Sequence, residues 1–139
     1  MDISASLAYT YYDFEGNYFY DDGGTVLSQD KTPASWVDST IDLNYRHSDE
    51  VSVLVGAYGM DSLKEELRYD YDSVNYLNVN NPVDAYALYA QTIYKATESL
   101  TFNVGARYDY YETFASHISP RLSAVYALSQ VSSLKLMYG

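Results

Sequence analysis

The chain contains no cysteine, which removes disulfide scaffolds and thiolate metal sites from consideration. Positive charge is scarce: 8 Lys and Arg stand against 19 Asp and Glu, a net charge of -11. A nucleic-acid partner is not expected, because that affinity comes from Lys and Arg neutralising phosphates. No apolar run approaches the ~18 residues of a transmembrane helix, so a helical membrane protein is excluded. Met1 leads directly into DISASLAYTYYD, without the basic and apolar regions or the cleavage site of a secretory leader. Phe and Trp are few, 4 and 1, whereas Tyr reaches 18 of 139 residues. Soluble cores favour Leu, Ile, Val and Phe, since a buried phenol needs a partner for its hydroxyl. So much Tyr points to surfaces that are apolar at one end and wet at the other.

What the chain does have is alternation. Leu100, Phe102, Val104, Ala106, Tyr108 and Tyr110 are separated by Thr101, Asn103, Gly105, Arg107 and Asp109. The same period of two runs through Ile3–Tyr11, Val37–Tyr45, Val51–Ala57, Tyr86–Tyr94, Pro120–Tyr126 and Leu134–Tyr138, which is the signal of half-buried β-strands. Whether the strand from Val51 continues through the charged SLKEELRYDYD is left open by the pattern. Short connections at HSDE, ATES and SQVS alternate with longer polar ones at 14–35, 60–83 and 112–117. Transmembrane β-barrels have this asymmetry of short periplasmic turns and long outer loops.

Length agrees with a membrane span. Tyr86 and Tyr94 share a face eight residues apart, as do Phe102 and Tyr110. Eight steps of ~3.4 Å tilted by roughly 40° rise about 21 Å, close to the ~25 Å apolar band of a barrel. Tyr45, Tyr94 and Tyr126 would form the periplasmic girdle, and Tyr9, Tyr11, Tyr86, Tyr108 and Tyr110 the outer one. The expected fold is thus all-β, an antiparallel transmembrane β-barrel segment of about seven strands. Its apolar face touches lipid and its charged face lines the lumen. A soluble β-sandwich shares the alternation but has no need of ringed tyrosines.

The stretch GARYDYYETFASHISPRLSAVYALSQVSSLKLMYG resembles TonB-dependent outer-membrane receptors. The matching positions are Gly105, Arg107, Tyr108 and Asp109, then Ser119, Pro120, Arg121 and Leu122, then Leu134, Lys135, Tyr138 and Gly139. ALYAQTIYKATESL resembles the preceding strand of that family, with Tyr89 and Gln91 facing inward. The resemblance implies a receptor in the outer membrane of a Gram-negative bacterium, with a barrel of about 22 strands around a plug. It implies import of a scarce chelate such as a ferric siderophore, haem or cobalamin. The partners would be outer-membrane lipid and lipopolysaccharide, the rest of the barrel and its plug, TonB indirectly, and the small-molecule ligand. No cofactor and no enzymatic activity are expected. Residues 1–139 read as a partial barrel domain without plug or signal peptide, because an open set of strands leaves costly unpaired edge groups in hydrocarbon. A truncated eight-stranded structural or adhesive barrel, or a soluble β-sandwich binding module, would be the alternatives.

Two groups of residues are site candidates. Tyr18, Tyr20, Asp21 and Asp22 in NYFYDDGG, with Tyr69, Tyr71 and Tyr76 in ELRYDYDSVNY, combine aromatic rings with polar groups, which suits flat or amphipathic ligands. The same composition also makes a soluble, protease-resistant loop surface, or one that bridges lipopolysaccharide through divalent cations. Arg107, Asp109 and Arg121 are expected to face the lumen, as plug contacts or as charge balance. A turn near Ala115 would set Asp109 opposite Arg121. DYDS lacks the spacing of a calcium loop, and His47 and His117 have no partner at metal-ligand spacing, so no metal site is expected.

Overall fold

The computed structural model describes residues 1–21 and 23–139; Asp22, one of the acidic loop candidates, lies outside the described residues. Ten strands follow in order: β1 (Asp2–Tyr12), β2 (Glu15–Asp21), β3 (Thr25–Lys31), β4 (Ala34–Arg46), β5 (Val51–Tyr71), β6 (Val74–Asn80), β7 (Ala85–Lys95), β8 (Leu100–Tyr111), β9 (His117–Ser129) and β10 (Ser132–Tyr138). The seven expected strands are β1, β4, β5, β7, β8, β9 and β10, hydrogen-bonded side by side in chain order. The row is open, with β1 and β10 as its outer members. It is an antiparallel barrel segment. The chain divides into two compact units, one of residues 1–6, 39–59 and 85–139, the other of residues 7–38 and 60–84.

In the first unit the register separates two chemistries. Leu88 stands opposite Tyr108, Val104 opposite Leu122, and Tyr126 between Leu100 and Leu134. Directly opposed residues share a face, so the apolar side chains of β7 to β10 form one continuous surface. Tyr86 opposes Tyr110 at one end of it, and Tyr94 opposes Phe102 at the other. Leu88 is 64% exposed and Leu136 66%, while Ala85 and Ala87 are the buried apolar residues among those described. A sandwich would bury one such face against a second sheet. Here it is left bare.

The three short turns tie themselves with their own side chains. Ser48 Oγ accepts from the Glu50 and Val51 amides, and Thr97 Oγ1 accepts from those of Ser99 and Leu100. The Val131 amide donates to Ser129 Oγ. On the wider connection between β8 and β9 the structure corrects the expected pairing. Asp109 faces His117, and Arg121 faces Gly105. The loop closes about Thr113, not Ala115, and the shift of four residues in register preserves the faces while changing every partner. Asp109 takes its cation from its own strand instead: Arg107 Nε donates to Asp109 Oδ1 at 2.7 Å.

The second unit holds strands where long polar connections were expected. β2 and β3 form a hairpin, β3 continues onto β5 through Ser28–Tyr71 to Lys31–Arg68, and β6 returns along the other side of β5. The strand from Val51 does run on through SLKEELRYDYD, to Tyr71. It turns back through Asp72 and Ser73, whose φ angles are 49° and 65°. A two-residue hairpin loop with both φ angles positive favours Asn-Gly. Left-handed backbone costs other L-residues roughly 1–2 kcal/mol each. Asp72→Asn with Ser73→Gly is therefore expected to stabilise the β5–β6 hairpin by about 1 kcal/mol. Slower amide exchange along β6 would register the gain, and unchanged exchange would count against the turn geometry.

Candidate functional site

The sequence candidates of the second unit converge. Tyr18 is opposite Ser28, and Ser28 is opposite Tyr71; Tyr69 is opposite Asp30, and Tyr20 lies two residues beyond Tyr18. Because alternate residues share a face, Tyr18, Tyr20, Tyr69 and Tyr71 stand on one side of the β2–β3–β5–β6 sheet. Tyr76 joins them by the same alternation, two residues beyond Val74, which pairs with Tyr71. Tyr69 pairs with Leu77 but Asp70 pairs with Asn75, so Tyr76 is also the extra residue of a bulge, set with Leu77 against Tyr69. Its ring packs on Tyr69 at 6.3 Å and edge-on against Tyr71 at 6.3 Å, while Tyr71 also meets Tyr20 at 6.5 Å.

Small residues floor this aromatic face. The Tyr18 ring lies over Gly16, where an added Cβ would come within 2.8 Å of the phenol oxygen. Ser28 is buried at 2% exposure. A depression of about 270 Å³ opens among Tyr69, Tyr71 and Tyr76. Tyr76 remains 64% exposed and Tyr20 52%. The arrangement offers ring faces at tilted angles with phenol groups at their rims, which suits a flat or amphipathic molecule. Asp21 takes no part in it, since alternation puts its side chain on the opposite face with Phe19 and Asn17.

That opposite face is held by Asp70, the first residue of the DYDS stretch. Arg68 Nε donates to Asp70 Oδ2 at 2.7 Å and Asn75 Nδ2 to Oδ1 at 2.8 Å. Asn75 also donates to the Leu77 carbonyl at 3.0 Å, so the bulge at Tyr76 is fastened to the carboxylate. The hydrogen bonds from Asn75 first, then Arg68, hold the Asp70 carboxyl below its ordinary value of 3.8. A lowered folded value means that the contribution is complete above the ordinary value and is lost as pH falls through the lowered one. Amide protection of β6 is thus expected to weaken below about pH 4. Asp70→Asn should remove that acid sensitivity; an unchanged pH profile in the variant would assign it to another group.

The luminal candidates lie in the first unit. The Arg107 guanidinium sits 5.5 Å from the Tyr58 ring centre and 5.6 Å from that of Tyr89, a cation held between two aromatic faces. Tyr89 Oη donates to Asp42 Oδ1 at 2.6 Å. Gly56 makes room for that contact, since an added Cβ would run into Asp42 Oδ1 and the Tyr89 ring. Arg107 and Asp109 are therefore an ion pair, and Arg121, diagonal to Arg107 across from Gly105, stands outside it. No sequence motif marks Tyr58, Asp42 or Gly56. Alternation alone could have placed Asp42 on the charged face between Ile41 and Leu43.

An open, single-layered, tyrosine-banded sheet with a charged inner face is a wall of a membrane barrel, and one comparison says which kind. The family model described as TonB dependent receptor-like, beta-barrel, matches residues 1–139. The chain belongs to this family. No curated protein matches it. The match extends the likeness from the ordered motifs after residue 85 to the whole chain, and decides for a receptor barrel over a small structural or adhesive one. TonB-dependent receptors are transport proteins rather than enzymes, and the family resides in the Gram-negative outer membrane with a plug and TonB as general partners.

Proposed function

We propose that this chain is a partial barrel domain of an outer-membrane receptor that imports a scarce chelate, such as a ferric siderophore, haem or cobalamin. The five-tyrosine face makes the first contact with that ligand. The convergence of Tyr18, Tyr20, Tyr69, Tyr71 and Tyr76 onto one floored face carries this reading. In this reading the connections 14–35 and 60–83 lie outside the membrane, and the apolar face of β7–β10 meets lipid and lipopolysaccharide. Arg107, Asp109 and Arg121 look toward the plug, through which energy from TonB releases the ligand. The chain carries out no chemistry of its own, and iron, if transported, is cargo.

Uptake by cells expressing the full receptor tests this directly. Radiolabelled ferric siderophores, haem and cobalamin would be supplied to cells with and without functional TonB. Accumulation of one of the three is expected, with its loss in the TonB-deficient strain. Accumulation that ignores TonB, or none of any class above receptor-free cells, would sink the proposal.

A further inference from the structure

Charge is unevenly placed in the first unit. The chain as a whole carries -11, yet β7 to β10 hold Lys95, Arg107, Arg121 and Lys135 against one acid, Asp109. Register sets all five on the face opposite the lipid-facing side chains. Asp109 is engaged by Arg107. Among the described residues Arg121 makes no ion pair. The local excess of cations is thus centred where Arg121 stands.

The surface beside Arg121 is shaped. Gly105 lies between Gln91 on one neighbouring strand and Arg121 on the other, with Arg107 two residues along. A Cβ at Gly105 would meet the Ala90 carbonyl at 2.7 Å, so the missing side chain leaves a floor with polar groups around it. The depression there measures about 160 Å³ and is lined by Tyr89, Gln91, Gly105, Arg107 and Arg121. Small-molecule pockets start at roughly 300 Å³. This one suits the end of a single side chain rather than a chelate. A wider hollow of about 510 Å³ that Arg121 also borders runs out to β10 beside Lys135.

We infer that the Gly105 depression is a carboxylate socket, which receives one Asp or Glu side chain of the protein segment seated in the lumen. Arg121 supplies a paired charge, Gln91 an amide donor, and the stacked Arg107 a second cation that is already immobilised. A guanidinium without an ion pair on the charged face has reason to find an acceptor, and planar two-point recognition of a carboxylate is what Arg does best. The inference rests on the receptor reading for the identity of the seated segment as the plug.

Hydrogen exchange on the full receptor in detergent, with ligand affinity measured on the same samples, is the test. Arg121→Gln is expected to raise exchange about tenfold in one plug segment containing an Asp or Glu, the effect of losing a charged hydrogen bond. Ligand affinity should change less than about twofold, within the span of surface substitutions. Should Arg121→Gln fail to assemble, Arg121→Lys keeps the charge without the fork and should give a smaller rise in the same segment. In the unaltered receptor, an arginine-specific dicarbonyl should modify Arg121 only after urea has released the plug. Unchanged exchange in every plug segment, or ready modification of Arg121 in the native receptor, would overturn the socket. Loss of ligand affinity with plug exchange unchanged would overturn it too, by giving the site to a carboxylate of the ligand. Wild-type uptake that ignores TonB would instead strike the receptor reading, and is read independently of these variants.

Discussion

Gly56→Ala is expected to destabilise the folded barrel by about 1–3 kcal/mol, the usual cost of forcing a methyl group into an occupied space. The added carbon would enter the space of the Tyr89 ring and Asp42 Oδ1. Both are side chains, and separately either could swing aside. They are bonded to each other at 2.6 Å, and the Tyr89 ring also carries the Arg107 guanidinium. Yielding therefore means breaking a hydrogen bond to a carboxylate and displacing a stacked cation together. A Tyr89→Ala background separates this from any backbone effect. There the ring is absent, and Gly56→Ala should cost under about 0.5 kcal/mol, so that the two changes are strongly coupled. Urea unfolding of the full receptor in micelles, followed through the four proteins of the cycle, gives the coupling. Equal costs in both backgrounds would mean that Tyr89 does not lie across Gly56.

The barrel wall was legible because lipid imposes a pattern on every strand that crosses it. Apolar residues must recur at every second position, and so β1, β4, β7, β8, β9 and β10 could be read from periodicity with few errors at their ends. The second unit obeys no such demand. Around Tyr18 and Tyr69 both faces of the strands are polar or aromatic, and alternation of Tyr with Asn, Arg and Asp looks like loop composition. The continuation of β5 to Tyr71 and the existence of β2, β3 and β6 were hidden for that reason. Tyr76 shows a second limit. Alternation from Val74 places it on the aromatic face, but the pairing of Val74 with Tyr71 depends on where the hairpin turns, and no Gly or Pro marks Asp72 and Ser73 as that turn. The exchange of Arg121 for Arg107 as the partner of Asp109 shows a third, since loop closure sets register and the loop at 112–116 contains no Gly or Pro to mark its centre.

Tyr71→Ala is expected to weaken ligand capture about 30-fold, or roughly 2 kcal/mol, in the range of an aromatic anchor at the centre of a binding surface. Tyr71 earns the central place by position: its ring meets Tyr20 on one side and Tyr76 on the other. Removing it takes away one contact surface and leaves two neighbours without the ring that orients them. Tyr76→Ala, at the more exposed edge, should cost less, about five- to tenfold. Tyr71→Phe keeps the ring and removes only the phenol group. If stacking dominates it should lose under about threefold, and if the hydroxyl binds the ligand directly the loss should approach that of Ala. The barrel itself should be indifferent to all three, because these rings lie on β5 and β6 beyond the residues of the first unit. Equilibrium binding of the transported chelate to the full receptor, with urea midpoints as the control, measures both quantities. A Tyr71→Ala receptor that binds as tightly as the unaltered one would remove the tyrosine face from capture, leaving it as surface chemistry alone.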